Sequence, residues 1–161
     1  MTPELSIDPQ TGAVLFSGLA IAIAPGQEKA EVESLLKPYF RDSRDFQNGY
    51  EWLTFEGLSF GGEPCVLSFC FFQGRVSQVS WGVKLPGAKL EGGWPARETS
   101  GEEIKFVRKN LKEQLSRGFQ HGSETFGWGS VHSVFDDRGG AASSAIRYER
   151  RKGWRSRLFG S

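Results

Sequence analysis

A mixed α+β fold, a mainly antiparallel sheet with two helices packed on it, is what this sequence predicts. Three observations carry the prediction. The β-branched and aromatic run Cys65–Phe72 meets the turn Gln73-Gly74 and continues as Arg75–Val83, the pattern of a hairpin. Two stretches with helical spacing of apolar residues, Gln27–Phe40 and Ser100–Leu115, interrupt the strands without alternating with them. The order βββ-α-ββββ-α-ββ then joins most strands by short turns, which suits antiparallel pairs and not parallel ones.

The first strands are Glu4–Ile7 and Ala13–Ser17, separated by Asp8-Pro9-Gln10-Thr11-Gly12, where proline presets one turn angle and glycine accepts the other. Leu19–Ala24 reads as a third short strand, or as a continuation of the second past Gly18, before the break at Pro25-Gly26. In Gln27–Phe40 the apolar positions Ala30, Val32, Leu35, Leu36 and Tyr39 follow a helical stripe, and Pro38 should end or distort the last turn. Arg41–Gly49 reads as a polar, charged loop. Tyr50–Phe55 and Leu58–Phe60 read as strand on either side of Gly57. The arm Cys65–Phe72 is apolar on both faces, which predicts a central strand covered on both sides. Lys84–Thr99, with two prolines and three glycines, reads as a surface loop. Ser100-Gly101-Glu102-Glu103 fits a capping box, Ile104, Val107, Leu111 and Leu115 make an apolar face, and Gly118 is a natural stop. Thr125–Phe135 and Ala141–Tyr148 form the last hairpin, around Asp136-Asp137-Arg138-Gly139-Gly140.

A chain of 161 residues is near the size of one domain, and a domain of roughly 150 residues buries about 70% of its unfolded surface without help from disulfides or metals. The 13% aromatic content separates it from a disordered chain. We therefore place one domain at residues 1–149 and a basic C-terminal tail at 150–161. The net charge of +1 implies no partner, but Arg147–Leu158 alone carries +5, so the body is mildly acidic. Cys65 and Cys70, five residues apart in one strand, point to opposite faces and are expected as buried free thiols. Free thiols, the lack of a basic signal-peptide start and apolar runs too short to span a bilayer predict a cytoplasmic protein.

Catalytic and ligand motifs are sparse. His121 and His132 are the two histidines. His132 falls in a strand where alternation gives it a face with Trp128, Ser130 and Val134; it reads either as a packed strand histidine or as a general base working with Ser130 or Asp136. Asp136-Asp137 fits a hairpin turn better than a metal site, since no further ligand lies at calcium or zinc spacing. The Gly127-Trp128-Gly129 and Gly57–Gly62 glycines lack the strand-to-helix setting of a phosphate loop. No cofactor or metal is implied.

Two features favour recognition over catalysis. The tail interleaves basic and aromatic residues (Arg150-Arg151-Lys152-Gly153-Trp154-Arg155-Ser156-Arg157-Leu158-Phe159), a mixture that suits anionic partners, nucleic acid among them, and equally suits a solvated terminus. Aromatic residues also outnumber what a small core needs, and Trp94 sits in a Gly/Pro loop where exposure is expected; the alternative is a second ring cluster under the loops. The candidate partner-binding residues are Trp94, Trp128, His132, Arg151, Trp154 and Arg155.

Ala24-Pro25-Gly26 before a helix, then Trp52-Leu53-Thr54-Phe55 and a hairpin with Leu67-Ser68-Phe69 and Gly74-Arg75-Val76, resembles the helix-plus-meander units of the β-lactamase inhibitor protein. The ending Phe126-Gly127-Trp128-Gly129, Asp136 and Ile146-Arg147-Tyr148 is similar to endings of small bacterial proteins that look like immunity proteins of toxin systems. These resemblances cover Ala24–Val83 and Gly122–Tyr148, while the basic tail and the missing secretion signal depart from the inhibitor. They imply a non-enzymatic protein-binding module whose partner is a protein, a toxin in the immunity case. They assign no residue roles and leave oligomeric state open.

Overall fold

A computed structural model describes residues 2–149. The strands are β1 (Glu4–Ile7), β2 (Val14–Ser17), β3 (Ile21–Ile23), β4 (Phe40–Asp45), β5 (Tyr50–Phe60), β6 (Glu63–Phe72), β7 (Arg75–Val83), β8 (Leu90–Glu91), β9 (Trp94–Pro95), β10 (Ser123–Phe126), β11 (Gly129–Asp136) and β12 (Ala141–Tyr148). The helices are α1 (Lys29–Leu35) and α2 (Arg97–Leu115). Among the described residues one sheet of ten strands runs β10-β11-β12-β7-β6-β5-β1-β2-β3, with β4 also on β5, and β8–β9 form a separate small hairpin. All pairings are antiparallel except β1 with β5, which is parallel at Glu4 and Ser59. The sheet is therefore mixed at one join and antiparallel elsewhere.

The core lies on one face. Leu67, Phe69 and Phe71 of β6, Val79, Trp81 and Val83 of β7, Val131 of β11 and Ile146 of β12 are buried there with Val107, Leu111 and Leu115 of α2. A flat sheet would place β12 and β1, four strand spacings apart, about 19 Å from each other. Instead Tyr148 at the end of β12 donates to the Gly12 carbonyl at 2.5 Å, and Trp128 Nε1 donates to the Pro9 carbonyl at 3.0 Å. The β1–β2 turn thus meets the far half of the sheet, and α2 joins them through Gln114, which accepts from the Ile7 amide at 3.0 Å. The sheet curls around α2, and its other face forms the outside of the curl.

Several expectations need correction. The predicted helix over Gln27–Phe40 is α-helical only for Lys29–Leu35; a 3₁₀ turn, Lys37–Tyr39, follows, because Pro38 has no amide to donate and crowds the preceding turn. The polar segment after it is not a loop but begins with β4, whose six residues are all exposed. An edge strand buried on neither face leaves no hydrophobic alternation to read. β5 runs unbroken through Gly57, with a register shift between Phe55 and Leu58 marking a bulge. The Lys84–Thr99 loop contains β8, β9 and the first residues of α2. The last hairpin is three strands, with Gly127 and Trp128 turning between β10 and β11. β6 is central, between β5 and β7, but no layer covers its second face: Val66 is 36% exposed, and Ser68 and Phe72 are half-buried. The basic tail, residues 150–161, lies outside the described residues.

The capping box also does not form. α2 starts one turn early, so Ser100 is buried inside it, with no hydrogen-bond partner on its hydroxyl. The Glu103 carboxylate leaves the helix and accepts the Val83 amide of β7 at 3.1 Å. Tertiary contact outbids a local bond here, because an unpaired amide at the strand end would cost more than an uncapped helix start. Burial holds the Glu103 carboxyl above its ordinary value, and the bond from Val83 opposes that in part.

Two predictions follow from this packing. Gly12 has φ of +76°, and a methyl group there would come within 2.4 Å of Trp128 Cε3, whereas Gly74, with φ of +80°, has open space. Gly74→Ala should cost about 1 kcal/mol from backbone strain alone, and Gly12→Ala about 1–3 kcal/mol more, read by urea denaturation. For Glu103 the raised native value means the folded state holds its proton more tightly than the unfolded chain. Stability should decline as pH rises from near the ordinary value of 4.5 through the raised one, and Glu103→Gln should flatten that slope in thermal melts at graded pH.

Candidate functional site

The outer face of the sheet is a large surface that no helix among the described residues covers. Register places its side chains in rows. One row runs His132, Ala145, Ser80, Ser68, Thr54 and Asp42 across β11, β12, β7, β6, β5 and β4. The adjacent row runs Ser130, Arg147, Gln78, Cys70, Trp52 and Arg44 across the same strands. Each row exists because directly opposed residues of paired strands project to one side of the sheet.

The first row is short and rich in hydroxyls; Thr54 and Ser68 bond to each other at 2.9 Å. The second carries long side chains, and these shield the smaller groups between them. Ala145 and Cys70 are buried although no layer lies above them. Burial pushes the Cys70 thiol up, so it stays protonated, as does Cys65 on the core face, where burial and then the Glu103 charge push it to about 12. Both cysteines are free. Neither thiol is a poised nucleophile. Arg147 and Arg44 are exposed, one near each end of the second row, with half-buried Gln78 and Trp52 between them. Such a surface offers many hydrogen-bond donors and acceptors, one aromatic anchor and two guanidinium groups.

His132 lies on this face and is half-buried. Its Nε2 is 3.3 Å from the Ser143 hydroxyl of β12, and not bonded to Ser130 or Asp136. Asp136 is occupied at the following turn, where its carboxylate accepts the Arg138 amide at 3.0 Å and its carbonyl accepts that of Gly140 at 2.7 Å. Burial, and after it the positive charge of Arg147, lowers the His132 pKa from its ordinary value. A neutral imidazole beside a hydroxyl has one member of a catalytic pair in place, but no acidic group orients the ring. The most voluminous cleft described, about 710 Å³, opens on the same face between Glu4, Glu56, Ser59, Val66 and Lys84, and His132 is not in its lining. Among the described residues no group of three or more His, Cys, Asp or Glu side chains could hold a metal ion.

The other sequence-predicted residues lie elsewhere. Trp128 does not share a strand face with His132. Its ring stacks on Phe126 at 4.6 Å between centroids, packs by Tyr148, and closes over Gly12. Trp94 stands on the β8–β9 hairpin, 65% exposed, beside Leu90 at 68%. Arg151, Trp154 and Arg155 lie outside the described residues. Sequence reasoning missed Arg147, Gln78, Trp52 and Arg44 as a set. Their alternation with core residues was readable strand by strand, but their alignment depends on β12 pairing with β7, far away in the chain. No helix among the described residues is long and apolar enough to cross a membrane.

No protein-family model matches this chain, and no curated protein matches it in sequence. Among solved structures, a chain of "Rhs1-CT in complex with cognate immunity protein RhsI1" has a similar fold, with a TM-score of 0.51 and 11% identity over 97% of this chain and 96% of that chain. At that identity the likeness is one of fold.

The lowered value at His132 gives a direct test. Followed by NMR, its ring should titrate below the ordinary value near 6.5. Because the folded value is depressed, stability should fall as pH drops below about 6.5 toward it, and His132→Gln should remove that component.

Proposed function

We propose that this protein is a non-enzymatic binding module of the immunity type, which acts by covering a surface of a partner protein. The outer sheet face carries the reading. It presents two mainly polar rows of side chains across six strands, with no helix among the described residues over them. Recognition needs this kind of wide, preorganised surface, with buried backbone already paired and side chains fixed by the pleat. The similarity of fold to a chain in a complex containing a cognate immunity protein supports the same reading. In it the partner is a toxin, and the working compartment is the bacterial cytoplasm.

Arg147 and Trp52 are the contacts expected to matter most, since Arg and Trp dominate interface energetics. Trp94 adds an exposed ring at a second point, and His132 contributes a hydrogen bond from the β11 end of the face. The tail residues follow β12 in sequence: Arg151 and Arg155 supply positive charge that steers an acidic partner, and Trp154 supplies an aromatic contact. Trp128 is assigned to the fold, because its ring and its nitrogen are already engaged.

The experiment is co-expression and purification with the product of the adjacent gene, followed by calorimetry. Wild type should form a stoichiometric complex and restore growth of cells expressing that product. Trp52→Ala or Arg147→Glu should each weaken binding by about tenfold or more, equivalent to at least about 1.4 kcal/mol, without changing the melting temperature appreciably. A turnover activity of the isolated protein, with no protein partner recovered, would overturn the proposal.

A further inference from the structure

The strand missed by sequence reading, β4, has a second property. It pairs with β5 on one side only, and no strand among the described residues lies on its other edge. Free edges are usually blunted by charged side chains, proline or bulges, and β4 carries a bulge between Phe40 and Asp42. This one reads Phe40-Arg41-Asp42-Ser43-Arg44-Asp45-Phe46, with charges that alternate in sign about Ser43.

We propose that the protein pairs with a second copy of itself along β4, antiparallel and centred on Ser43, so that the two sheets become one. In that register Asp42 lies opposite Arg44 of the second copy and Arg41 opposite Asp45, each pair occurring twice by symmetry. The pairing runs from Arg41 to Asp45: Phe46 lies beside Arg44, whereas Phe40, beyond the bulge between Phe40 and Asp42, packs on Phe55 on the core side and takes no part in it. The four neighbouring registers fail on charge. Centring on Asp42 or on Arg44 opposes like residues; centring between Asp42 and Ser43 opposes Arg41 to Arg44; centring between Ser43 and Arg44 opposes Asp42 to Asp45. Parallel pairing in register sets every charge against its own kind, which is destabilising.

Three structural details fit. Asp42 lies across from Thr54 and Arg44 across from Trp52, so both project from the outer face, and a two-fold axis perpendicular to the sheet keeps them on the same side as their counterparts. The Ser43 amide donates to the Asp42 carboxylate at 2.8 Å and not into the β5 ladder, so it is directed to the free edge and can be exchanged for a carbonyl of the second copy. Among the described residues Asp42, Arg44 and Asp45 form no ion pair, whereas Lys29 pairs with Glu33 and Glu51, and Arg75 with Glu28. Arg41 reaches Glu56 at 3.7 Å, but both are more than half exposed, and such a pair is readily exchanged.

Sedimentation velocity of the full chain over a concentration series at low salt tests this, with circular dichroism as the check on folding. Wild type should show a concentration-dependent dimer that weakens as salt is raised. Arg44→Asp, which sets Asp42 against an aspartate in both halves, should raise the dimer dissociation constant by about tenfold or more. The charge-swapped double variant Asp42→Arg/Arg44→Asp should recover the dimer, which a general loss of surface charge would not explain. A wild type that stays monomeric at every soluble concentration, a dimer that is unaffected by Arg44→Asp, or a folded double variant that remains monomeric would each overturn the assignment.

Discussion

The fold depends on the closure of a curled sheet around α2. Three contacts hold the curl: the Tyr148 hydroxyl on the Gly12 carbonyl, the Trp128 indole over Gly12 and on the Pro9 carbonyl, and Gln114 of α2 on the Ile7 amide. They tie the chain's first hairpin to its last strands and bring α2 into the same knot. With the ends held, Val107, Leu111 and Leu115 are enclosed on the inner face, and the hydrophobic core becomes a filled trough. A residue larger than glycine at position 12 has nowhere to go, because the ring beside it is fixed on its other sides by Phe126 and Tyr148.

Closing one face defines the other. The helices, the buried rings and the partly buried Glu103 all belong to the inside, where charge is held down by desolvation. The outside keeps polar side chains at half burial, fixed by their neighbours and by the pleat. Their orientation is set by the register between strands, and together they give the face its breadth. Its ends differ in character. One carries Arg147 near His132, and the other carries Arg44 and Asp42 on the β4 edge, where a further strand can be accepted.

Local signals located most of the strands. The hairpin β6–β7 was legible because β-branched and aromatic residues meet at a Gln-Gly turn, and the first hairpin because proline and glycine fix its corner. The apolar stripe of α2 was legible from its period. The two departures from the helix readings differ in cause. Ser100 was a local capping signal overridden by the surroundings, since Glu103 turned to an amide of β7, whereas Pro38 acted as a local signal and distorted the end of its helix into a 3₁₀ turn. β4 was invisible for a different reason, since a strand exposed on both faces carries no hydrophobic alternation.

The sequence by itself determined which segments bury apolar surface and the corners at which the chain reverses. Those are properties of neighbouring residues, and local sterics and hydrophobic periodicity express them directly. Only the tertiary structure decided that β12 lies against β7, that Trp128 closes over Gly12, that His132 meets Ser143 in place of Ser130 or Asp136, and that Arg147, Gln78, Trp52 and Arg44 share one row. Each of these follows from the register between strands distant in the chain, and a shift of one residue would turn every side chain in the row to the opposite face.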